Sequence, residues 1–109
     1  MVTYVPERGD IVWLDFEPQK GREIQKTRPA VVLSPYKYNL KSGLALFAPI
    51  TSQTKGYPFE VKINFAQING VVLCDQVRSM DWKARKANKL LTLDKTLIDN
   101  ILSKLKLLL

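Results

Sequence analysis

Residues 21–35 read GREIQKTRPAVVLSP, a polar and partly charged run from Gly21 to Thr27 that turns without a break into an apolar strand. Within PAVVLS the β-branched pair Val31 and Val32 suits a strand buried on both faces, and Pro35 stops its pairing. Proline at position 29 fixes φ and removes a ladder donor, which assigns it to the first position of a strand or to an edge. Arg28 therefore stands where the strand emerges from the sheet, on a rigid backbone. Two readings of it follow. It is either a guanidinium immobilised for a task or a boundary residue in a surface ion pair, the ordinary fate of a charged side chain.

Upstream, GDIVWLDFEP alternates with a period of two, Val12, Leu14 and Phe16 against Ile11, Trp13 and Asp15, and reads as a strand ended by Pro18, Lys20 and Gly21. Downstream, YKYNLKSG is a turn or short helical segment, and GLALFAPIT is a third strand ending at Thr51. FEVKIN alternates as a half-exposed strand, with Phe59, Val61 and Ile63 on one face. Asn69-Gly70 marks a tight turn before the next strand. GVVLCDQVRSMDW is apolar until Asp75 and then bends across the surface, and a further strand includes Lys89 to Leu91. The period changes at the C-terminal end: Leu97, Ile98, Ile101, Leu102, Leu105 and Leu108 share one helical face, with Asp94 as N-cap. Five to seven short strands and one amphipathic helix predict a mainly β fold with a C-terminal α-helix, a small, strongly bent sheet or barrel on which the helix packs.

At 109 residues the chain is expected to form a single domain, 1–109, able to bury a core without metals or disulfides. The one cysteine, Cys74, lies in an apolar run and reads as a buried structural thiol, which fits a reducing, cytoplasmic setting. No run approaches the ~18 apolar residues of a membrane span, and a soluble protein is expected. Seventeen basic residues against ten acidic ones leave a net charge of +7, which favours a polyanionic partner: nucleic acid, an acidic protein or an anionic membrane surface. There is no histidine, so the commonest general acid-base group and zinc ligand is missing.

Thr51 follows the apolar LALFAPI and precedes the polar loop SQTKGYP. If the second and third strands pair antiparallel, Arg28 and Thr51 lie side by side at one rim, a cation and a hydroxyl focused on one spot. The alternative for Thr51 is simple loop capping. Aromatic and basic residues are interleaved, Trp13, Tyr36, Tyr38, Tyr57, Phe59 and Trp82 among Lys20, Arg22, Lys26, Lys55, Arg78, Lys83, Arg85 and Lys86. That mixture is compatible with single-stranded nucleic acid, while Trp13 and Phe59 equally suit a core or an interface. The run DWKARKANK reads as a strand or loop along a groove's edge.

The blocks GDIVWLDFEPQKG, RPAVVLSP, ITSQTKGYPFEV and DQVRSMDWKAR occur in the order and spacing of the MazF/PemK toxins of bacterial toxin-antitoxin systems, and the chain resembles that family over nearly its whole length. The resemblance implies an SH3-like barrel of strongly twisted antiparallel sheet, of the PemK/CcdB kind, assembled as a homodimer. It also implies a metal-independent endoribonuclease with no cofactor, cutting single-stranded RNA to 2′,3′-cyclic phosphate and 5′-hydroxyl ends. The partner it implies is a labile, MazE-like antitoxin whose acidic C-terminal segment occupies the RNA groove. By the same resemblance Arg28, Thr51 and Glu23 fall on positions linked to catalysis. Lys20, Arg22, Lys26, Ser34, Ser52, Gln53, Lys55, Tyr57, Asp75, Gln76 and Arg85 are then the expected RNA-binding set.

Arginine is a poor base at its ordinary pKa and Glu23 an easier one, whereas the family resemblance favours Arg28 in acid-base work, so the proton acceptor stays open between them. The loop departs from the family pattern at Arg22, Ile24 and the lack of a glycine after Gly21, which predicts a stiffer, more cationic loop. Two other functions compete: a gyrase poison of the CcdB type and a noncatalytic RNA-binding barrel. The combination of Arg28-Pro29 with Thr51-Ser52-Gln53 favours the nuclease over both.

Overall fold

The computed structural model describes residues 4–15 and 27–109. In chain order the elements are β1 (Asp10–Asp15), β2 (Thr27–Val32), α1 (Tyr36–Ser42), β3 (Leu44–Thr51), β4 (Glu60–Asn64), β5 (Asn69–Leu73), β6 (Arg78–Asp81), β7 (Asn88–Thr92) and α2 (Lys95–Lys106). All pairings are antiparallel, in the order β4-β5-β3-β2-β1-β7 with β6 also on β3. The sheet curls into a half-barrel, the mainly β architecture expected from the sequence.

The period of two puts a core on each face of the central strands. Ile11 of β1, Val31 of β2, Ala48 and Ile50 of β3, Val61 and Ile63 of β4 and Val72 of β5 pack inside the curl, closed by Ile101 of α2. The alternate residues Val12, Leu14, Ala30, Val32, Ala45, Phe47 and Met80 form a second cluster with Trp82. Both β1 and β2 are therefore interior strands, which explains the near-continuous apolar runs IVWL and PAVV.

Helix α2 begins as expected at Asp94, whose carboxylate accepts from the Leu97 N–H at 2.9 Å. Leu97, Ile98, Leu102 and Leu105 pack beside Ile101, but Leu108 lies past the helix end and is exposed. Helix α1 ends at Gly43, which takes the left-handed conformation at φ +76° and donates its N–H to the Asn39 carbonyl at 3.1 Å.

Three expectations need correcting. Asn69 and Gly70 are not a turn: they are the first paired residues of β5, opposite Asn64 and Ile63, and the reversal runs through residues 65–68. Trp82 is no stacking surface, because it is buried and its indole N–H donates to the Asn39 carbonyl at 3.0 Å. Ser34 does not face RNA either. It is buried, and its hydroxyl donates to Asn39 Oδ1 at 2.5 Å while accepting from the Leu46 N–H at 2.9 Å. The Asn39 amide in turn donates to the Pro6 and Ser34 carbonyls, so one buried polar network ties the N-terminal segment, α1 and the β6–β7 turn together.

Candidate active site at the parting of two strands

The β2–β3 ladder runs from Val32↔Phe47 through Val31↔Ala48 to Ala30↔Pro49 and stops there. Neither Pro29 nor Pro49 has an N–H with which to continue it. Beyond that point β2 pairs only with β1, Arg28 against Leu14 and Thr27 against Asp15, while the end of β3 pairs with β5, Ile50 against Val72 and Thr51 against Val71. The two central strands part like a fork. Continuing the register sets Arg28 and Thr51 opposite each other, two positions past the last pair. By alternation both lie on the face of Ala30, Val32 and Phe47, which places an exposed guanidinium and a half-buried hydroxyl at the open end of the second core cluster. Pro29 is thus neither a first residue nor on an edge strand; it sits where an interior strand loses one neighbour.

Each prong is held. Thr51 Oγ1 accepts from the Gln53 N–H at 3.2 Å, which fixes the start of the following loop. Beneath it, a Cβ at Gly70 would stand 2.2 Å from the Thr51 carbonyl oxygen, so only glycine lets β5 approach so closely. On the β2 side the Thr27 hydroxyl donates to Asp15 Oδ1 at 3.3 Å. The Asp15 N–H donates to the Arg85 carbonyl at 2.9 Å, and Arg85 Nη1 reaches the Asp15 carbonyl at 3.5 Å. Arg85 thereby docks the basic turn 82–86 against the end of β1. The Asp81 carboxylate shapes that turn by accepting from the Lys83 and Ala84 N–H groups at 3.0 and 2.8 Å.

Of the other residues expected at the site, Ser52, Gln53, Lys55 and Tyr57 occupy the exposed loop that leaves Thr51. Asp75 and Gln76 are exposed in the β5–β6 turn, and Arg78 at its far end pairs opposite Phe47 on the same face as the fork. Lys20, Arg22, Glu23 and Lys26 lie outside the described residues. Asp15, Thr27, Glu60 and Gly70 were not singled out in the sequence. Periodicity marked Glu60 only as an outward position of β4, and Gly70 resembled a turn. Cys74 is buried, as expected; burial pushes its thiol pKa up to about 11, and the charges of Lys104 and Asp75 modify that in opposite senses. Among the described residues no group of three or more histidine, cysteine, aspartate or glutamate side chains is placed to hold a metal ion, and no helix is long and apolar enough to cross a membrane.

A half-barrel of net charge +7, with an arginine and a threonine on either side of a strand fork and basic loops around them, defines a class of small proteins built to receive a polyanion on one rim. Comparison with known proteins supplies the family. Residues 7–109 match the family described as PemK-like, MazF-like toxin of type II toxin-antitoxin system, and the chain belongs to it. The endoribonuclease toxin MazF of Escherichia coli K12 is 55% identical over 86 residues, 79% of this chain and 78% of that one. Endoribonuclease PemK of Escherichia coli is 32% identical over 108 residues, 94% of this chain and 81% of that one. A MazE–MazF crystal structure from Deinococcus radiodurans superposes with a TM-score of 0.91 at 45% identity, covering 97% of this chain and 96% of that one.

Proposed function

We propose that this endoribonuclease toxin cuts single-stranded RNA, chiefly mRNA, at short sequence motifs without a metal ion, and so arrests translation and growth in the cytoplasm until a cognate antitoxin neutralises it. The observation that carries the reading is the fork, which sets Arg28 and Thr51 opposite each other on one face. In the reaction the ribose 2′-hydroxyl oxygen attacks the adjacent phosphorus and loses its proton to a base. The P–O5′ bond breaks, and the 5′-oxygen takes up a proton, leaving a 2′,3′-cyclic phosphate and a 5′-hydroxyl. Charge gathers on the non-bridging oxygens as the phosphorane forms, and donors fixed in place before the reaction stabilise it most. Arg28 offers a planar fork of N–H groups that matches those oxygens, and Thr51 adds an O–H donor. Glu23 is the easier proton acceptor on pKa grounds.

RNA is read by the loop residues Ser52, Gln53, Lys55 and Tyr57 on one side, by Asp75 and Gln76 on another, and by Arg85 with Lys20, Arg22 and Lys26 beyond it. The acidic C-terminal segment of a MazE-like antitoxin competes for the same cationic rim. Two copies of the chain form a homodimer, for which the exposed apolar side chains Tyr36, Tyr38, Leu40, Leu44 and Leu46 offer surface. The test is to incubate the purified protein with mixed-sequence single-stranded RNA in excess EDTA and to analyse the new ends. Cleavage with 2′,3′-cyclic phosphate ends is expected. Intact RNA, cleavage only on adding a divalent ion, or 3′-hydroxyl ends would refute the reading.

A further inference from the structure

One carboxylate organises the loop that follows Thr51. Glu60, the first residue of β4, accepts hydrogen bonds from three consecutive residues: the Thr54 hydroxyl at 2.8 Å, the Lys55 N–H at 3.0 Å and the Gly56 N–H at 3.0 Å. Its own N–H donates to the Tyr57 carbonyl at 3.1 Å. Gly56 takes φ +75°, the left-handed conformation that turns the chain around the carboxylate. From α2, Lys104 Nζ donates to the Pro58 carbonyl at 2.7 Å and pins the far arm of the loop. Partial removal of Glu60 from water raises its pKa, but the donors from Lys55, Thr54 and Gly56 outweigh that and hold it below its ordinary value.

A carboxylate on a rim that receives a polyanion is unfavourable unless its charge is spent locally, and three donors spend it here. What it holds in place is cationic and aromatic. Lys55 and Tyr57 are both exposed, with the Lys55 ammonium 5.9 Å from the centre of the Tyr57 ring. An ammonium beside an exposed aromatic face suits one phosphate and one unstacked base. Ordering such a loop before RNA arrives removes an entropy cost from binding.

We propose that Glu60 is a positioning residue that presents Lys55 and Tyr57 as a phosphate-and-base platform for the RNA strand beside Thr51, setting substrate affinity rather than the rate of bond cleavage. The proposal rests on the ribonuclease reading. Steady-state cleavage of single-stranded RNA by the full chain tests it in four forms: wild type, Glu60→Gln, Lys55→Ala/Tyr57→Ala, and the triple variant. Replacing the carboxylate by a neutral amide removes a charge-assisted acceptor, so Glu60→Gln should raise KM about tenfold while kcat stays within about twofold. Thr54→Val, which removes one donor, should raise KM in the same direction by less.

Because Glu60 acts through the platform, Glu60→Gln should change nothing further once Lys55 and Tyr57 are truncated. Amide exchange at Lys55 and Gly56 should accelerate in Glu60→Gln. Unchanged KM and exchange in Glu60→Gln, a fall confined to kcat, or the same KM rise in the truncated background would each overturn the proposal. Wild-type protein that cuts no RNA would instead sink the ribonuclease reading and the platform with it.

Discussion

At Gly70 the backbone of β5 passes so close under Thr51 that a methyl group would collide with its carbonyl oxygen, at 2.2 Å. The collision is with backbone on both sides, so it cannot be relieved by a side-chain rotation. Gly70→Ala should therefore lose about 1–3 kcal/mol of stability, the usual cost of overpacking, in urea denaturation. It should also lower kcat for RNA cleavage at temperatures where the variant is still folded, because Thr51 must move to make room. An alanine variant with wild-type stability and kcat would show that β5 has slack the structure does not display. At this scale the sequence was least informative. Arg28 announced itself through Pro29, but Gly70 next to Asn69 has the chemistry of a turn, and only the pairing of β5 with both β3 and β4 reveals what its missing side chain is for.

At the scale of elements, period and punctuation carried most of the fold. VVLSP, GLALFAPIT and FEVKIN were legible as strands because alternation, β-branching and flanking proline or glycine agreed, and α2 was legible because its apolar face and its Asp94 cap agreed. The fork was only half legible. Pro29 was visible as a residue without a donor, but that β2 lies inside the sheet and loses one partner at Ala30↔Pro49 depends on β3 switching from β2 to β5, a long-range fact. The same limit hid Glu60, whose partners come from the loop before it rather than from a strand neighbour. Helix α2 closes the inner core through Ile101 and reaches the site loop through Lys104, so its stability and the order of the loop are linked. Asp94→Ala removes the acceptor of the Leu97 N–H and should destabilise the protein by about 1 kcal/mol, read as a lower urea midpoint at unchanged slope.

Across the whole molecule, two apolar clusters back to back on β1, β2 and β3 make the central strands rigid, and the site lies where that rigidity ends. Rigidity behind and an opening in front are what a catalyst without a reorganising solvent shell needs: donors held in place before charge develops. The +7 charge brings the RNA to the rim, and the fork decides what happens there. Single-turnover cleavage of single-stranded RNA by Arg28→Ala, set beside wild type and checked for an unchanged urea midpoint, tests this most directly. The account predicts a loss of about a hundredfold or more in the cleavage rate, the scale of removing a principal donor to the developing charge. A folded Arg28→Ala protein that cuts within about twofold of the wild-type rate would contradict it.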